Sequence, residues 1–344
     1  MTALARLALL GLTLAVGCSA PADSSPVTQP PAPPGPEAAL REVPLVAPWD
    51  DRQVEFSGMA WHGDALILLP QYPGTWNDRA PALAWASKAE VLAALDEGRP
   101  LTLRELPLDL AGVPERAPDY QGFEAIAFRG DEAWLAIECD ARGWLVRGRM
   151  QPGRAGLTLD PDTLRPVAYP RHMRNMGFEA VLATDGGAVA LFEANGAALT
   201  AVGERDGAWL DLQGELARVL VGALEYRITD ATDLDPQGRF WVSNYLYHKD
   251  AALICPRDPL RTEPLPTHDR YPWVERLVEL ELIESEGRRE VRLSGRPPVW
   301  LTLQDDDGRN WEGIVRLDDR GFLLVTDKYP RTILAFVESP AVER

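Results

Sequence analysis

The sequence predicts an all-β fold built by repeating one hairpin, and three observations predict it. A polar residue and an apolar run, then a Gly/Asp turn and a second apolar run, recur five times, with Gly or Ala after the polar residue in four of them. The copies are centred on Ser57, Glu124, Glu179, Thr232 and Glu312, between 53 and 80 residues apart, a spacing typical of repeat architectures. No long amphipathic helical pattern competes, and only Lys88–Glu97 reads as a short helix. The fold expected from these is a β-propeller of five blades. Six blades is the alternative, with the extra one near Glu290–Leu303 inside the longest step.

In chain order, the first segment is an expected signal peptide over 1–17. Arg6 precedes the short apolar run Leu7–Val16, which ends in Leu14-Ala15-Val16-Gly17-Cys18. That ending resembles a bacterial lipobox, and implies lipidation at Cys18 and anchoring to a membrane in the cell envelope. Ser19 after the cysteine resembles the outer-membrane sorting pattern, facing the periplasm or the cell surface. An ordinary cleaved signal is the alternative. Residues 18–40 then read as a lipidated cysteine and tether, with seven prolines among residues 19–40. The propeller domain is expected over 41–344.

Within that domain the hairpins read as Phe56–Leu69, Gly122–Glu138, Gly177–Glu193, Ala231–Asn244 and Asn310–Asp327. Third strands are expected at Ala82–Ser87, Trp144–Arg149, Ala197–Gly203, Ala252–Cys255 and Thr332–Val337. Outer strands are expected at Leu101–Leu106, Trp209–Leu212 and Val274–Leu282. A strand near Val43–Val46 would complete the last blade. Cys139 and Cys255 fall in non-adjacent blades, which favours two unpaired thiols over a disulfide.

The formal net charge is −17, which excludes nucleic acid and anionic membrane surfaces as natural partners and suits cation binding. A monomer is expected. Lys88, Lys249 and Lys328 are the only lysines.

The first strand of each propeller blade lines the central channel, so Ser57, Glu124, Glu179, Thr232 and Glu312 are expected to converge there. An aromatic residue precedes four of them (Phe56, Phe123, Phe178, Trp311), and Gly or Ala follows the same four. Carboxylates sharing a partly desolvated channel repel by about 4 kcal/mol at 4 Å and an effective dielectric near 20. Protonation or a bound cation relieves this, and oxygen-only donors favour Ca²⁺. Buried waters or strand capping is the alternative role. Asp233 or Asp230 is an alternative to Thr232 in the fourth copy.

A second ring is expected where the second strands end: Gln71, Glu138, Glu193, Asn244 and Asp327. Basic and aromatic loops follow or precede these ends, including Arg171–Asn175, Tyr245–Lys249, Lys328–Arg331 and Tyr72–Trp76. They suggest recognition of an anionic small molecule, with Arg174 a bidentate partner. Polar strand ends and solvated loops are the plainer explanation.

The series Ser, Glu, Glu, Thr, Glu is similar to the Ser/Glu ring that holds the central calcium in five-bladed apyrases of the calcium-activated nucleotidase family. Gly-Phe-Glu-Ala-Ile, Gly-Phe-Glu-Ala-Val and Trp-Glu-Gly-Ile also resemble the phytase-like esterase domain family of secreted bacterial propellers. The resemblance covers roughly residues 50 to 337 through short motifs. It implies Ca²⁺ held by Ser57, Glu124, Glu179, Thr232 and Glu312, and hydrolysis of phosphoesters or esters. Thr232 stands where that ring has Ser. Glu138 or Glu193 would be the general base, and Arg174, Lys249 or Lys328 would stabilise developing charge. A Ser-His-Asp hydrolase is not supported, because there is no Gly-x-Ser-x-Gly elbow. A non-catalytic envelope scaffold with a structural calcium is the alternative function.

Overall fold

The computed structural model describes residues 37–74, 80–197, 206–304 and 308–339. The chain divides into Met1–Pro30 and Pro31–Arg344. The first of these, with the expected signal segment, Cys18 and part of the tether, lies outside the described residues. The fold is that of the second.

The chain is all-β. Strand β1 (Leu40–Glu42) stands apart in sequence from the first meander. That meander is β2 (Phe56–His62), β3 (Ala65–Pro70), β4 (Ala82–Ser87) and β5 (Arg104–Asp109), with helix α1 (Lys88–Glu97) between the last two. Ser87 caps that helix in a reciprocal box with Glu90. The second meander is β6 (Tyr120–Arg129), β7 (Glu132–Cys139), β8 (Gly143–Met150) and β9 (Leu157–Val167), entered through the short helix α2 (Val113–Arg116). The third is β10 (Phe178–Thr184), β11 (Gly187–Phe192), β12 (Asp206–Asp211) and β13 (Leu216–Val221). The fourth is β14 (Arg227–Ala231), β15 (Arg239–Leu246), β16 (Val274–Ser285) and β17 (Arg288–Leu293), with β18 (Val299–Trp300) beside β16. The fifth is β19 (Trp311–Leu317), β20 (Gly321–Thr326) and β21 (Leu334–Glu338), completed by β1 through Leu40↔Val337.

These meanders do not form five separate sheets. The outer strands β5 and β9 pair in parallel, as do β13 and β17. The result is an eight-stranded, a nine-stranded and a four-stranded sheet. The innermost strands nevertheless close a ring: β2 packs on β6, β6 on β10, β10 on β14, β14 on β19, and β19 on β2. The sheets are therefore barrel-like about one centre.

Inner strands covered on both faces read as unbroken apolar runs. All six residues of Ala65–Pro70 are buried, as are all six of Gly187–Phe192. The core is divided between neighbouring meanders. Ile67, Leu69, Phe123 and Leu135 pack between the first and second. Trp241, Leu277, Ile314 and Phe322 pack between the fourth and fifth. At the centre the crowding is tight: a Cβ placed on Gly58 would lie 3.3 Å from the Ala125 Cα. The Gly or Ala after Ser57, Glu124, Glu179 and Glu312 meets this constraint.

Several expectations are corrected. The third strand of the third meander is β12, in place of Ala197–Gly203, of which 198–203 lie outside the described residues. Ala252–Cys255 lies in and just after the 3-10 turn Ala251–Leu253, and β16 is the third strand there. The region Glu290–Leu303 adds β17 and β18 to the fourth meander and builds no sixth unit. The closing strand is Leu40–Glu42, ahead of Val43–Val46 and across the expected domain boundary at 41. The expectation of two unpaired thiols, by contrast, is met: Cys139 and Cys255 are both free.

Candidate functional site

Each innermost strand carries a β-bulge near its start. The register skips between Phe56 and Gly58, Phe123 and Ala125, Phe178 and Ala180, Ile228 and Asp230, and Trp311 and Gly313. The residues left unpaired are Ser57, Glu124, Glu179, Thr229 and Glu312. A bulge takes one residue out of the ladder and re-aims its side chain. One polar residue per meander is thus released from strand pairing at an equivalent point.

Four of these five are the residues expected from sequence. The fourth meander differs: its position is Thr229, and Thr232 lies three residues further on. Thr232 accepts from the Trp241 N–H through Oγ1 at 3.0 Å and donates its own N–H to the Trp241 carbonyl at 2.8 Å. The mismatch has a physical cause. The loop 232–238 between β14 and β15 is longer than the tight turns elsewhere, so aligning the copies on their turns displaces the register. Asp230, another alternative, is buried and accepts from the backbone N–H of Ile314 at 2.8 Å and of Met59 at 3.4 Å. It ties neighbouring strands together.

The two hydroxyls act alike. Ser57 Oγ donates to the Phe123 carbonyl at 2.5 Å, and Thr229 Oγ1 donates to the Trp311 carbonyl. Each acceptor immediately precedes the ring glutamate of the next meander.

The three ring glutamates are held well above the usual carboxylate range. For Glu124 the causes are burial, then Glu138 and Glu312; for Glu179, burial, then Glu124 and Glu193; for Glu312, burial, then Asp327 and Glu193. Burial disfavours the charged form, and like charges add to it. Gln71 Nε2 donates to Glu124 Oε1 at 2.7 Å, and Asn310 Nδ2 to Glu312 Oε1 at 2.6 Å. Glu179 Oε2 is buried without a hydrogen-bond partner. Among the described residues, no three His, Cys, Asp or Glu side chains form a ready-made metal cage. The donor set of three carboxylates and a serine hydroxyl, with one carboxylate oxygen unsatisfied, nonetheless fits a hard cation.

Ser57, Glu124, Glu179 and Glu312 line a cavity of about 870 Å³, while Thr229 and Thr232 do not. Of the expected second ring, Gln71, Glu138, Glu193 and Asp327 reach the same cavity. Asn244 does not. It is buried, donating to the carbonyls of Glu225 and Arg227 at 3.0 and 2.8 Å and accepting from Arg276 Nε at 2.7 Å.

Glu193 is pushed up to about 7 by burial, against the pull of Arg227. Its Oε1 is bound by Arg227 Nη1 and its Oε2 has no partner. Glu138 is raised by burial and hydrogen-bonds Glu124. Tyr72 is pushed up to about 12 by burial and then by Glu124, Glu55 and Glu138, a sign of the negative field at its phenol.

Lys249 and Lys328 both reach the cavity. Arg174 is exposed and lies outside its lining. Arg227 is the arginine found there, donating through Nε to Asp250 Oδ2 at 2.7 Å and through Nη1 to the Asn175 carbonyl at 3.3 Å. Sequence reasoning missed Arg227 because the fourth register was displaced. The available signal was a charged residue within Tyr226-Arg227-Ile228, two positions before the bulge. Asp250, His248, Tyr245 and Tyr247 also line the cavity.

No family model matches the chain, so the phytase-like resemblance rests on short motifs alone. No curated protein matches it either. Similar solved structures include the PQQ-bound aldose sugar dehydrogenase of Streptomyces coelicolor, at 13% identity and a TM-score of 0.47, covering 89% of this chain and 100% of that one. GH43B from the Bacteroides ovatus xyloglucan PUL aligns at 12% identity and a TM-score of 0.48, covering 86% and 55%. The GH32 β-fructofuranosidase of Bombyx mori, solved as a mutant with sucrose, aligns at 15% and 0.39, covering 78% and 56%. Likenesses this distant assign no activity to the chain.

Proposed function

We propose that this chain is a five-bladed β-propeller that binds Ca²⁺ among its axial bulges and hydrolyses phosphoesters or esters at the adjoining cavity. In the same reading Cys18 carries lipid and anchors the domain at the cell envelope. The observation that carries the proposal is the set of five equivalent bulges, three of which present a buried or partly buried carboxylate to one cavity.

Ser57, Glu124, Glu179 and Glu312 would hold the ion, with Thr229 in the fourth position in place of Thr232. When bound, calcium supplies positive charge that polarises an ester or phosphoryl oxygen and positions water. The remaining roles belong to the chain. Glu193, titrating near neutrality with one free oxygen, accepts a proton from the attacking water. Arg227 holds its other oxygen and fixes its orientation. Lys249 faces the anion, while Lys328 is already held by Glu55 Oε2 at 2.7 Å.

The second reading is a binding propeller with a structural ion. It is favoured by the closed arrangement of Arg227 with Glu193 and Asp250, which occupies the proposed base. Metal analysis of purified protein, followed by ester and phosphoester assays with and without EDTA, separates the two. Turnover lost with EDTA and restored by Ca²⁺ supports the hydrolase. Bound calcium and an EDTA-lowered Tm without turnover on any substrate supports the binding module. Protein without bound metal refutes both.

A further inference from the structure

The charges at the cavity are unevenly matched. Seven carboxylates line it, against the basic side chains Arg227, Lys249 and Lys328. Arg227 is committed to Glu193 and Asp250. Lys328 Nζ is committed to Glu55 Oε2 at 2.7 Å. Lys249 has no carboxylate partner among the described residues. Its Nζ sits 5.7 Å from the Tyr247 ring centroid, and Tyr247 is itself 38% exposed. The neighbouring His248 ring packs edge-on to Tyr247 at 4.7 Å and also lines the cavity.

We propose that the cavity selects organic phosphates with a single negative charge, of the phosphodiester kind, and rejects multiply charged phosphates. This rests on reading the cavity as a substrate site. One uncommitted ammonium balances one anionic charge. Each further charge on the ligand would face carboxylates, and a desolvated like-charge contact is repulsive. Two ester substituents remove a charge and add bulk that the adjacent phenol and imidazole rings can cover. A phosphomonoester dianion or a polyphosphate finds no second free side-chain cation, and the two charges of a calcium ion in the ring are outweighed by the three glutamates that would hold it.

The test is calorimetric binding to the full chain in saturating Ca²⁺, using diphenyl phosphate, phenyl phosphate and ATP. Diphenyl phosphate is expected to bind at least about fivefold tighter than phenyl phosphate, with ATP weaker still. Lys249→Met keeps the stem and removes the charge. It is expected to weaken diphenyl phosphate about tenfold, the size of a lost charge-assisted contact, without changing bound calcium. Lys328→Met, whose ammonium already faces Glu55, is expected to change it by less than about twofold.

Equal or tighter binding of ATP or phenyl phosphate overturns the proposal. So does a Lys249→Met effect under twofold, or no binding of any of the three. Binding of diphenyl phosphate without hydrolysis of bis(p-nitrophenyl) phosphate refutes the hydrolase reading while leaving the charge selection standing.

Discussion

The Ser57 hydroxyl donates to the Phe123 carbonyl at 2.5 Å, so the bulge of one meander is fastened to the residue just before Glu124 in the next. Ser57→Ala leaves that buried carbonyl short of a partner, at a cost of about 1–3 kcal/mol. Urea unfolding should show the loss. Calcium affinity should fall as well, because the Glu124 bulge loses its lateral tie.

Thr229 and Thr232 can be told apart by the same approach. Thr229→Val removes the hydroxyl on the Trp311 carbonyl, next to Glu312, and should lower calcium affinity. Thr232→Val should cost about 1 kcal/mol through the Trp241 N–H, with calcium affinity unchanged. Equal affinities in the two variants would contradict the register assignment.

Glu179→Gln replaces a buried carboxyl that has an unsatisfied oxygen. In EDTA the variant should melt no lower than the parent near pH 8, since a costly charge is removed. In Ca²⁺ it should lose most of the metal-induced rise in Tm. A full rise would remove Glu179 from the ligand set.

The pH dependence follows from Glu193. Its folded pKa, about 7, lies above the ordinary carboxylate value of 4.5. The group therefore contributes stability that is fully present below the unfolded pKa and is lost as pH rises through 7. Glu138 is raised in the same direction. The metal-free protein should melt progressively lower from pH 5 to pH 8, as scanning calorimetry would show. Added Ca²⁺ should raise Tm more at pH 8 than at pH 5, because protons and cations compete for the same field.

Arg227→Met strands Glu193 and Asp250 without their shared partner. Breaking a buried ion pair on one side costs about 3–5 kcal/mol. The unfolding midpoint in urea should drop accordingly, and the titration near neutrality should move to higher pH.

Much of this was readable in the chain because hairpins are local. The tight turn Arg129-Gly130-Asp131 and the runs flanking it place β6 and β7 without tertiary information. The α1 helix coincides with its expected range because Ser87 and Glu90 form a cap within the sequence itself. The four ring residues Ser57, Glu124, Glu179 and Glu312 were legible because an aromatic residue before and a small residue after mark each bulge. What failed was whatever depended on loop length. The long excursion between Leu246 and Val274 concealed the third strand of the fourth meander, and the loop 232–238 moved Thr229 out of alignment. Arg227 and Arg174 changed places for the same reason: which loop folds over a cavity is a property of the assembled ring.

Strand β1 carries a consequence for how the molecule is made. Its ladder joins Leu40, Arg41 and Glu42 to Val337, Phe336 and Ala335. The first strand among the described residues therefore waits for the last of them, and β1 has no partner until Leu334–Glu338 has been translated. A protease clipping ahead of Val43 would remove β1 and leave β21 as an open edge, ready to pair with the same edge of another molecule.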